Sequence, residues 1–203
     1  MKSVVCTKLG EPKLLEIKEV DKPIPLDDEV LIKVEAAGVN YPDALLVQGK
    51  YQIVVEPPFT PGNEVCGYVD QVGKNVDLKK GTKVIGLPEI GGFSEFVCIN
   101  KKLVIPISDN INSLAGASLP INYGTTYYAL KRRAKAASGE SLLILGASGG
   151  VGTASIQLGK ILGLTTIAAI GSDEKEEYVK NLGVDHIIPV SYTHLTLPTN
   201  RGV

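Results

Sequence analysis

A glycine-rich turn between an apolar run and a helix-period segment constrains the fold of this chain more than any other feature. The run Leu142–Leu145 predicts a buried parallel strand, and the residues after Gly152 have the apolar period of a helix. Gly149, Gly150 and Gly152 lack the Cβ atoms that would keep backbone amides away from a pyrophosphate. Amides at a helix N-terminus attract anions with support from the helix dipole. The turn therefore predicts a dinucleotide site whose contacts are Ala147, Ser148, Gly149, Gly150, Val151 and Gly152.

The residues that follow the turn extend this prediction. GASGGVG departs from the strict GxGxxG spacing, so the turn taken alone could equally be an ordinary connection between a strand and a helix. An apolar strand is predicted at Thr165–Ile170, a charged helix at Asp173–Leu182 and a third strand at His186–Val190. This βαβαβ order is typical of the first half of a doubly wound parallel sheet.

The first half of the chain has a different pattern, in which short β-branched or alternating segments recur between Pro and Gly breaks. This rhythm predicts a small antiparallel barrel. The predicted strands are Val4–Thr7, Leu14–Val20, Glu29–Ala36, Val65–Val72, Lys83–Leu87 and Phe93–Ile99.

Two helices are predicted between the barrel and the parallel sheet. Ser113 is expected to cap a helix that begins at Leu114, and a second helix is predicted at 125–137. The basic residues near the end of the second helix could form a nucleic-acid patch. We interpret them instead as a solvated helix end whose charge complements the dipole.

Composition excludes several classes of protein. The chain has 203 residues, 44% of them hydrophobic, and a formal charge of −1, which predicts a soluble globular protein that does not bind nucleic acid through bulk charge. We expect neither a membrane span nor a secretory leader, so the predicted location is cytoplasmic. Cys6, Cys66 and Cys98 are few and far apart, which favours reduced core thiols over disulfides.

One set of residues around the glycine turn resembles the signature of the zinc-independent, zeta-crystallin-like quinone oxidoreductases of the medium-chain dehydrogenase/reductase superfamily. The set consists of Gly139, Glu140, Leu143, Ala147–Gly150, Gly152, Gln157 and Lys160. The resemblance implies an α/β protein with a GroES-like antiparallel barrel domain at 1–115. The first half of a Rossmann domain, a doubly wound parallel sheet, would follow at 116–190.

The resemblance also makes the end of the chain unusual, because members of this superfamily continue into a second half of the Rossmann domain. Residues 191–203, SYTHLTLPTNRGV, have no helical apolar period, and Pro198 interrupts them. We therefore expect a C-terminally truncated, inactive fragment that carries a non-native tail from Ser191. A genuine short C-terminus is the alternative.

The segments that bind zinc in alcohol dehydrogenases of the superfamily are changed here. GVNYPD has Asn40 where those enzymes have a cysteine, and PGNEVCG has Asn63 before Glu64. Amide side chains are poor zinc ligands, so no metal site is predicted. Glu64 is interpreted as a structural carboxylate.

The resemblance implies hydride transfer from NADPH to a quinone or to the β-carbon of an α,β-unsaturated carbonyl. Asn40, Asp43 and Tyr51 match the family's catalytic cleft residues. In that interpretation Asn40 orients the nicotinamide side, Tyr51 contacts cofactor or substrate and can donate a hydrogen bond, and Asp43 supports the loop. Asn40 and Asp43 could instead serve turn chemistry around Pro42, and Tyr51 could be a surface ring.

The remaining cofactor contacts come from two further segments. LPINYGTTYYAL makes Thr125 a candidate and Asn122 a weaker one, although both could simply satisfy helix-end backbone groups. The second predicted strand ends in Gly171 and Ser172, where NAD-selective folds carry an acidic residue. Ser172 can donate to a 2′-phosphate and Lys175 can add charge, so NADPH is the predicted cofactor.

Other functions remain open at this point. A nucleotide-binding protein without turnover, with a structural or RNA-binding role, would have the same glycine turn. A zinc-free reductase of acyl thioesters is a third possibility. The predicted partner is a small-molecule quinone or enone, without membrane or nucleic acid, and the intact protein is expected to be a homodimer or homotetramer.

Overall fold

The structure, a computed structural model, describes residues 1–190. They form two compact units, Met1–Ile121 and a second unit that begins at Asn122. The predicted tail, 191–203, lies outside the described residues. The predicted domain division between residues 115 and 116 stays a prediction, because a continuous helix runs through these positions.

The first unit is built from antiparallel strands. These are β1 (Lys2–Val5), β2 (Glu16–Glu19), β3 (Glu29–Ala37), β4 (Val65–Val72), β5 (Lys83–Gly86), β6 (Phe96–Asn100) and β7 (Val104–Pro106), with helix α1 (Tyr41–Val47) between β3 and β4. Strands β1 and β2 pair with each other, and the other five form one sheet in the order β6-β3-β4-β5-β7. The predicted antiparallel class is confirmed, although β7 and α1 were not predicted.

The core of this unit lies against β3 and β4, which have the longest register in the sheet. Val30 and Ile32 from β3 are fully buried, as are Val65 of β4 and Val84 of β5. Because alternate residues of a strand point to opposite faces, these β-branched side chains gather on one face of the sheet. A second cluster joins Leu46 and Val47 of α1 to Cys6 and Phe59.

Helix α2 (Ser113–Tyr127) corrects two predictions. The chain does not form separate helices here, since α2 continues into a π-helical segment at Tyr128–Arg133. Nor does Ser113 cap the helix. The side chain of Asn112 accepts a hydrogen bond from Leu114 N (2.8 Å), whereas Ser113 Oγ donates to Glu35 Oε2 (2.5 Å). Asn112 lies one residue earlier, where its side-chain oxygen can reach an amide of the first turn.

The second unit contains the predicted βαβαβ arrangement. Its elements are β8 (Ser141–Leu145), α3 (Gly150–Ile161), β9 (Thr165–Ile170), α4 (Glu176–Asn181) and β10 (His186–Pro189). The strands are parallel and lie in the order β10-β9-β8. The predicted parallel sheet is therefore confirmed.

The expectation that Leu142–Leu145 is buried is wrong for half of its residues. Ile144 is buried, and Leu142 packs into the same cluster, with Ile156 of α3. Leu143 and Leu145 are 42% and 62% exposed. Successive side chains of a strand point to opposite faces, and within this unit only one face of β8 packs into that cluster.

Candidate functional site

The glycine turn is compact because two of its backbone segments touch. Gly146 has φ +63°, which favours glycine, and its carbonyl accepts a hydrogen bond from Gly149 N (3.0 Å). A Cβ on Gly152 would lie 2.5 Å from the Gly146 oxygen and 2.7 Å from Ala147. Gly152 is therefore required for the first turn of α3 to pack against the loop that precedes it.

The outer side of the turn has room for a ligand. A Cβ on Gly149 would meet only the Gly146 oxygen, at 3.4 Å, and a Cβ on Gly171 would meet no atom within 4 Å. Helix α3 begins at Gly150, and the first amides of a helix have no acceptor within it. These residues can thus bring backbone donors and the positive end of a helix dipole to an anion.

The second predicted cofactor segment lies at the same edge of the sheet. Ala147 N donates to Ala169 O (3.2 Å), so the turn after β8 runs beside the end of β9. Gly171 and Ser172 follow β9 directly, and Ser172 precedes the short helical turn Asp173–Lys175. Parallel strands present their carboxyl ends together, which is why separate sequence segments meet at this edge.

Thr125 and Asn122, the candidate cofactor contacts of α2, have different surroundings. Thr125 is exposed, whereas its neighbour Thr126 is 2% exposed and donates to Asn122 O (2.9 Å). The side chain of Asn122 lies against the glycine turn, since a Cβ on Gly150 would be 2.5 Å from Asn122 Oδ1. Asn122, the weaker candidate, therefore contacts the turn.

The first unit contains a cavity of about 490 Å³, a size usual for sites that bind small molecules. Asp43 and Tyr51, both predicted site residues, line it. The rest of the lining is mostly apolar: Pro42, Leu46, Ile53, Val55, Asn63, Leu87, Pro88, Glu89, Ile90, Leu103 and Ile121. The structure thus brings two of the three predicted catalytic residues to one cavity.

Asn40, the third predicted catalytic residue, is linked to this cavity by hydrogen bonds. It precedes α1, and its backbone N donates to Asp43 Oδ2 (2.8 Å), which ties the Asp43 carboxylate to the helix N-terminus. Its Nδ2 donates to Glu64 Oε1 (2.7 Å) and to Asn63 Oδ1 (3.3 Å). Asn40 therefore joins the cavity residues Asp43 and Asn63 to a buried carboxylate.

Glu64 is 1% exposed and serves as the centre of this network. Its Oε2 accepts a hydrogen bond from Ile121 N (2.9 Å), so the side chain also ties helix α2 to the cavity wall. A Cβ on Gly38 would be 2.2 Å from Glu64 Oε1, which shows how closely the backbone approaches the carboxylate. Burial raises the pKa of both Glu64 and Asp43 above the usual range, and the hydrogen bonds that each accepts oppose the shift.

Metal-ligating side chains are not grouped in residues 1–190, where no set of three or more His, Cys, Asp and Glu residues could hold a metal ion. The three cysteines are free, Cys6 and Cys66 are buried, and burial raises the pKa of Cys98 to about 11. Within the same residues, no helix combines the length and apolar character that crossing a membrane requires.

The sequence pattern did not predict the aliphatic lining of the cavity. Leu87–Ile90 follow β5, Leu103 precedes β7, and Ile121 belongs to α2, so these residues are distant in sequence. The apolar run Ile53–Val55 was a signal in the sequence, because exposed apolar residues in a loop favour contact with a ligand or partner, and the structure leaves Ile53 and Val54 exposed.

Comparison with known proteins agrees with this architecture. Residues 26–109 match the alcohol dehydrogenase GroES-like domain. The quinone oxidoreductase of Mus musculus is 35% identical over 190 residues, which cover 92% of this chain and 57% of the mouse protein. A probable oxidoreductase from Mycobacterium abscessus has a TM-score of 0.90 and 36% identity, covering 94% of this chain and 61% of that one.

A quinone oxidoreductase from Thermus thermophilus, whose structures include a complex with NADPH, has a TM-score of 0.83 and 34% identity. The match covers 94% of this chain and 60% of that one. An antiparallel GroES-like unit followed by a parallel βαβαβ unit defines the medium-chain dehydrogenase/reductase class. The chain is similar to the quinone oxidoreductases of that class, and it spans 57% of the length of the mouse protein.

Proposed function

We propose that the intact protein is an NADPH-dependent oxidoreductase that reduces a quinone or an α,β-unsaturated carbonyl without zinc. The observation that carries this proposal is the glycine turn, in which the start of α3 is packed tightly onto Gly146 while the outer side of Gly149 is open. The names of the relatives and the NADPH complex of the Thermus structure support it.

The residues present fit the cofactor. The open space outside Gly149 and Gly171 would admit a pyrophosphate and a ribose. A side chain at either position would begin to fill that space. Ala147, Ser148, Gly150, Val151 and Gly152 complete the proposed phosphate contacts. Ser172 and Lys175 would bind the 2′-phosphate, and Asn40, Tyr51 and Thr125 remain proposed contacts elsewhere on the cofactor. When bound, NADPH would supply the hydride, and a proton completes the reduction.

The cavity of the first unit is the proposed acceptor site. Tyr51 would donate a hydrogen bond to the carbonyl oxygen of the acceptor, on which negative charge develops during reduction. Asp43 would hold the start of α1, and Asn40 would fix this side of the site through Asn63 and Glu64. The apolar lining would exclude water from the acceptor. A cytoplasmic, homo-oligomeric protein with a small-molecule substrate is part of the same proposal.

Cofactor selectivity tests the proposal directly. Titration calorimetry of the chain should give a dissociation constant for NADPH at least about tenfold lower than for NADH, because a 2′-phosphate gains charge-assisted hydrogen bonds. Ser172→Asp should abolish the preference by repelling the phosphate, and Lys175→Ala should reduce it. Lys180→Ala is the matched control, since Lys180 pairs with Glu176 (2.5 Å).

Equal dissociation constants, or tighter binding of NADH, would contradict the cofactor assignment. Saturable NADPH binding without oxidation across a panel of quinones and alkenals would favour a nucleotide-binding protein without turnover. Steady oxidation of NADPH with a quinone or alkenal is the expected result for the intact protein.

A further inference from the structure

The lining of the cavity in the first unit has an uneven distribution of charge. Its charged side chains are Asp43 and Glu89, both carboxylates, and its lining residues include no Lys, Arg or His. The other side chains are apolar apart from Tyr51 and Asn63. The cavity is thus an apolar site with negative charge and no cation to offset it.

The two carboxylates have different freedom to move away from a ligand. Asp43 is 5% exposed, and its carboxylate accepts hydrogen bonds from Asn40 N and from the backbone of Gly62, so it is fixed in place. Glu89 is exposed and lies in the loop that follows β5. Asp43 therefore has a structural role, whereas Glu89 has no hydrogen bond or ion pair within residues 1–190 that would explain its presence.

An anion that enters this cavity loses solvation and meets negative charge. The apolar lining provides few donors to replace lost water, and repulsion between like charges is stronger near a protein surface than in bulk water. An uncharged carbonyl compound has neither cost and gains from burial of its apolar surface.

We propose that this cavity selects uncharged carbonyl compounds and rejects acidic ones, and that Glu89 is a residue that determines this specificity. The inference rests on the proposed function, because it treats the cavity as the acceptor site. It narrows the substrate class to neutral apolar quinones and enones.

Binding of two isosteric probes to the full chain tests the inference without turnover. para-Methylacetophenone is neutral, para-acetylbenzoate replaces its methyl group by a carboxylate, and neither probe reacts with thiols. We expect ligand-observed NMR at neutral pH to give a dissociation constant about tenfold lower for the neutral ketone. In a second measurement, on the protein's own methyl spectrum, the resonances of Ile53 and Ile121 should shift when the ketone is added. Those of Ile17, on β2, should not shift.

Glu89→Gln isolates the specificity residue. The variant should reduce the ratio of the two probes' dissociation constants by roughly threefold or more, because it removes one charge and keeps the shape of the side chain. Glu56→Gln is the matched control, since Glu56 is exposed in the neighbouring loop and does not line the cavity. That control should leave the ratio of the two dissociation constants unchanged.

Turnover separates the inference from the function on which it rests. In the intact protein with NADPH, naphthoquinone should be reduced faster than naphthoquinone sulfonate, and Glu89→Gln should raise kcat/KM for the sulfonate. Selective binding of the ketone without any NADPH oxidation would overturn the proposed function and support the charge selectivity. Equal binding of the two probes, binding of neither, or a difference that Glu89→Gln leaves unmoved would overturn the inference.

Discussion

The two units hold their candidate site residues by different physical means. In the second unit, backbone atoms of neighbouring residues make the site, as when Gly152 packs against Gly146. In the first unit, side chains from separate segments do so, with Glu64 joining Asn40 to Ile121. The comparison teaches that a backbone-built site depends on small residues at fixed positions, whereas a side-chain-built site depends on hydrogen-bonding partners far apart in the chain.

The largest effect is expected from Gly152→Val, which disrupts the backbone-built site. The new side chain would begin 2.5 Å from the Gly146 oxygen, so the turn would have to open. We expect NADPH binding to be lost in a calorimetric titration and the free energy of unfolding of the second unit to fall by roughly 3 kcal/mol.

Gly124→Ala is the control for this variant. A Cβ there would meet no atom within 4 Å, and the residue lies inside helix α2. The substitution should leave NADPH binding unchanged and raise stability by about 0.5–1 kcal/mol. If Gly152→Val bound NADPH as the unaltered chain does, the backbone account of this site would be wrong.

Glu64→Gln disrupts the side-chain-built site and should have the next largest effect. Glutamine keeps one acceptor oxygen, but its NH₂ group would face either Asn40 Nδ2 or Ile121 N, and both are donors. The free energy of unfolding of the first unit should fall by about 1–3 kcal/mol. Amide hydrogen exchange of Val65 and Val69 in β4 would measure it.

Glu35→Gln provides the matched control, because Glu35 is exposed and accepts one hydrogen bond, from Ser113 Oγ. Its effect should stay within about 0.5 kcal/mol. If both variants lowered the free energy of unfolding equally, burial of the Glu64 network would contribute no more to stability than an ordinary surface contact.

The smallest effect is a difference in pH dependence between the units. The Lys160 ammonium and the Thr166 amide and hydroxyl hold the pKa of Asp185 well below its usual range. Its stabilising contribution is therefore present above the unfolded pKa of about 4 and is lost as pH falls below that value. Asp43 and Glu64 have raised pKa values in the folded protein. Their contribution to stability is therefore present below about pH 4 and is lost as pH rises through the raised pKa values.

Hydrogen exchange of β9 and β4, followed from about pH 3 to pH 7 and corrected for intrinsic rates, would measure the two contributions separately. Asp185→Asn should flatten the acid-side dependence of β9 and leave β4 unchanged. Parallel pH profiles in both units would contradict the assignment of opposite shifts.

Much of the fold could be predicted because its signals are local. β4 and β9 have the predicted bounds, Val65–Val72 and Thr165–Ile170, since β-branched runs between breaking residues favour strands. Burial of β8 could not be predicted in the same way. Leu143 and Leu145 have the same hydrophobicity as buried leucines, and only the packing of the unit determines which face of the strand is covered.

The candidate sites divide in the same manner. The glycine turn could be found from sequence because the missing Cβ atoms are themselves the requirement. The role of Asn40 could be predicted only in part, as the capping interaction with Asp43 is local but the bonds to Asn63 and Glu64 depend on the pairing of distant segments. The sequence could not predict which residue of α2 contacts the turn, and the structure places Asn122 there.

The sequence by itself determined the class of each unit and the position of the glycine turn, because periodicity and missing side chains act within a few residues. The tertiary structure alone decided that Glu64 lies at the centre of a buried network and that a carboxylate-lined apolar cavity forms beside it. Burial, hydrogen-bond partners and local charge are properties of segments brought together by folding, so they cannot be obtained from any one stretch of the chain.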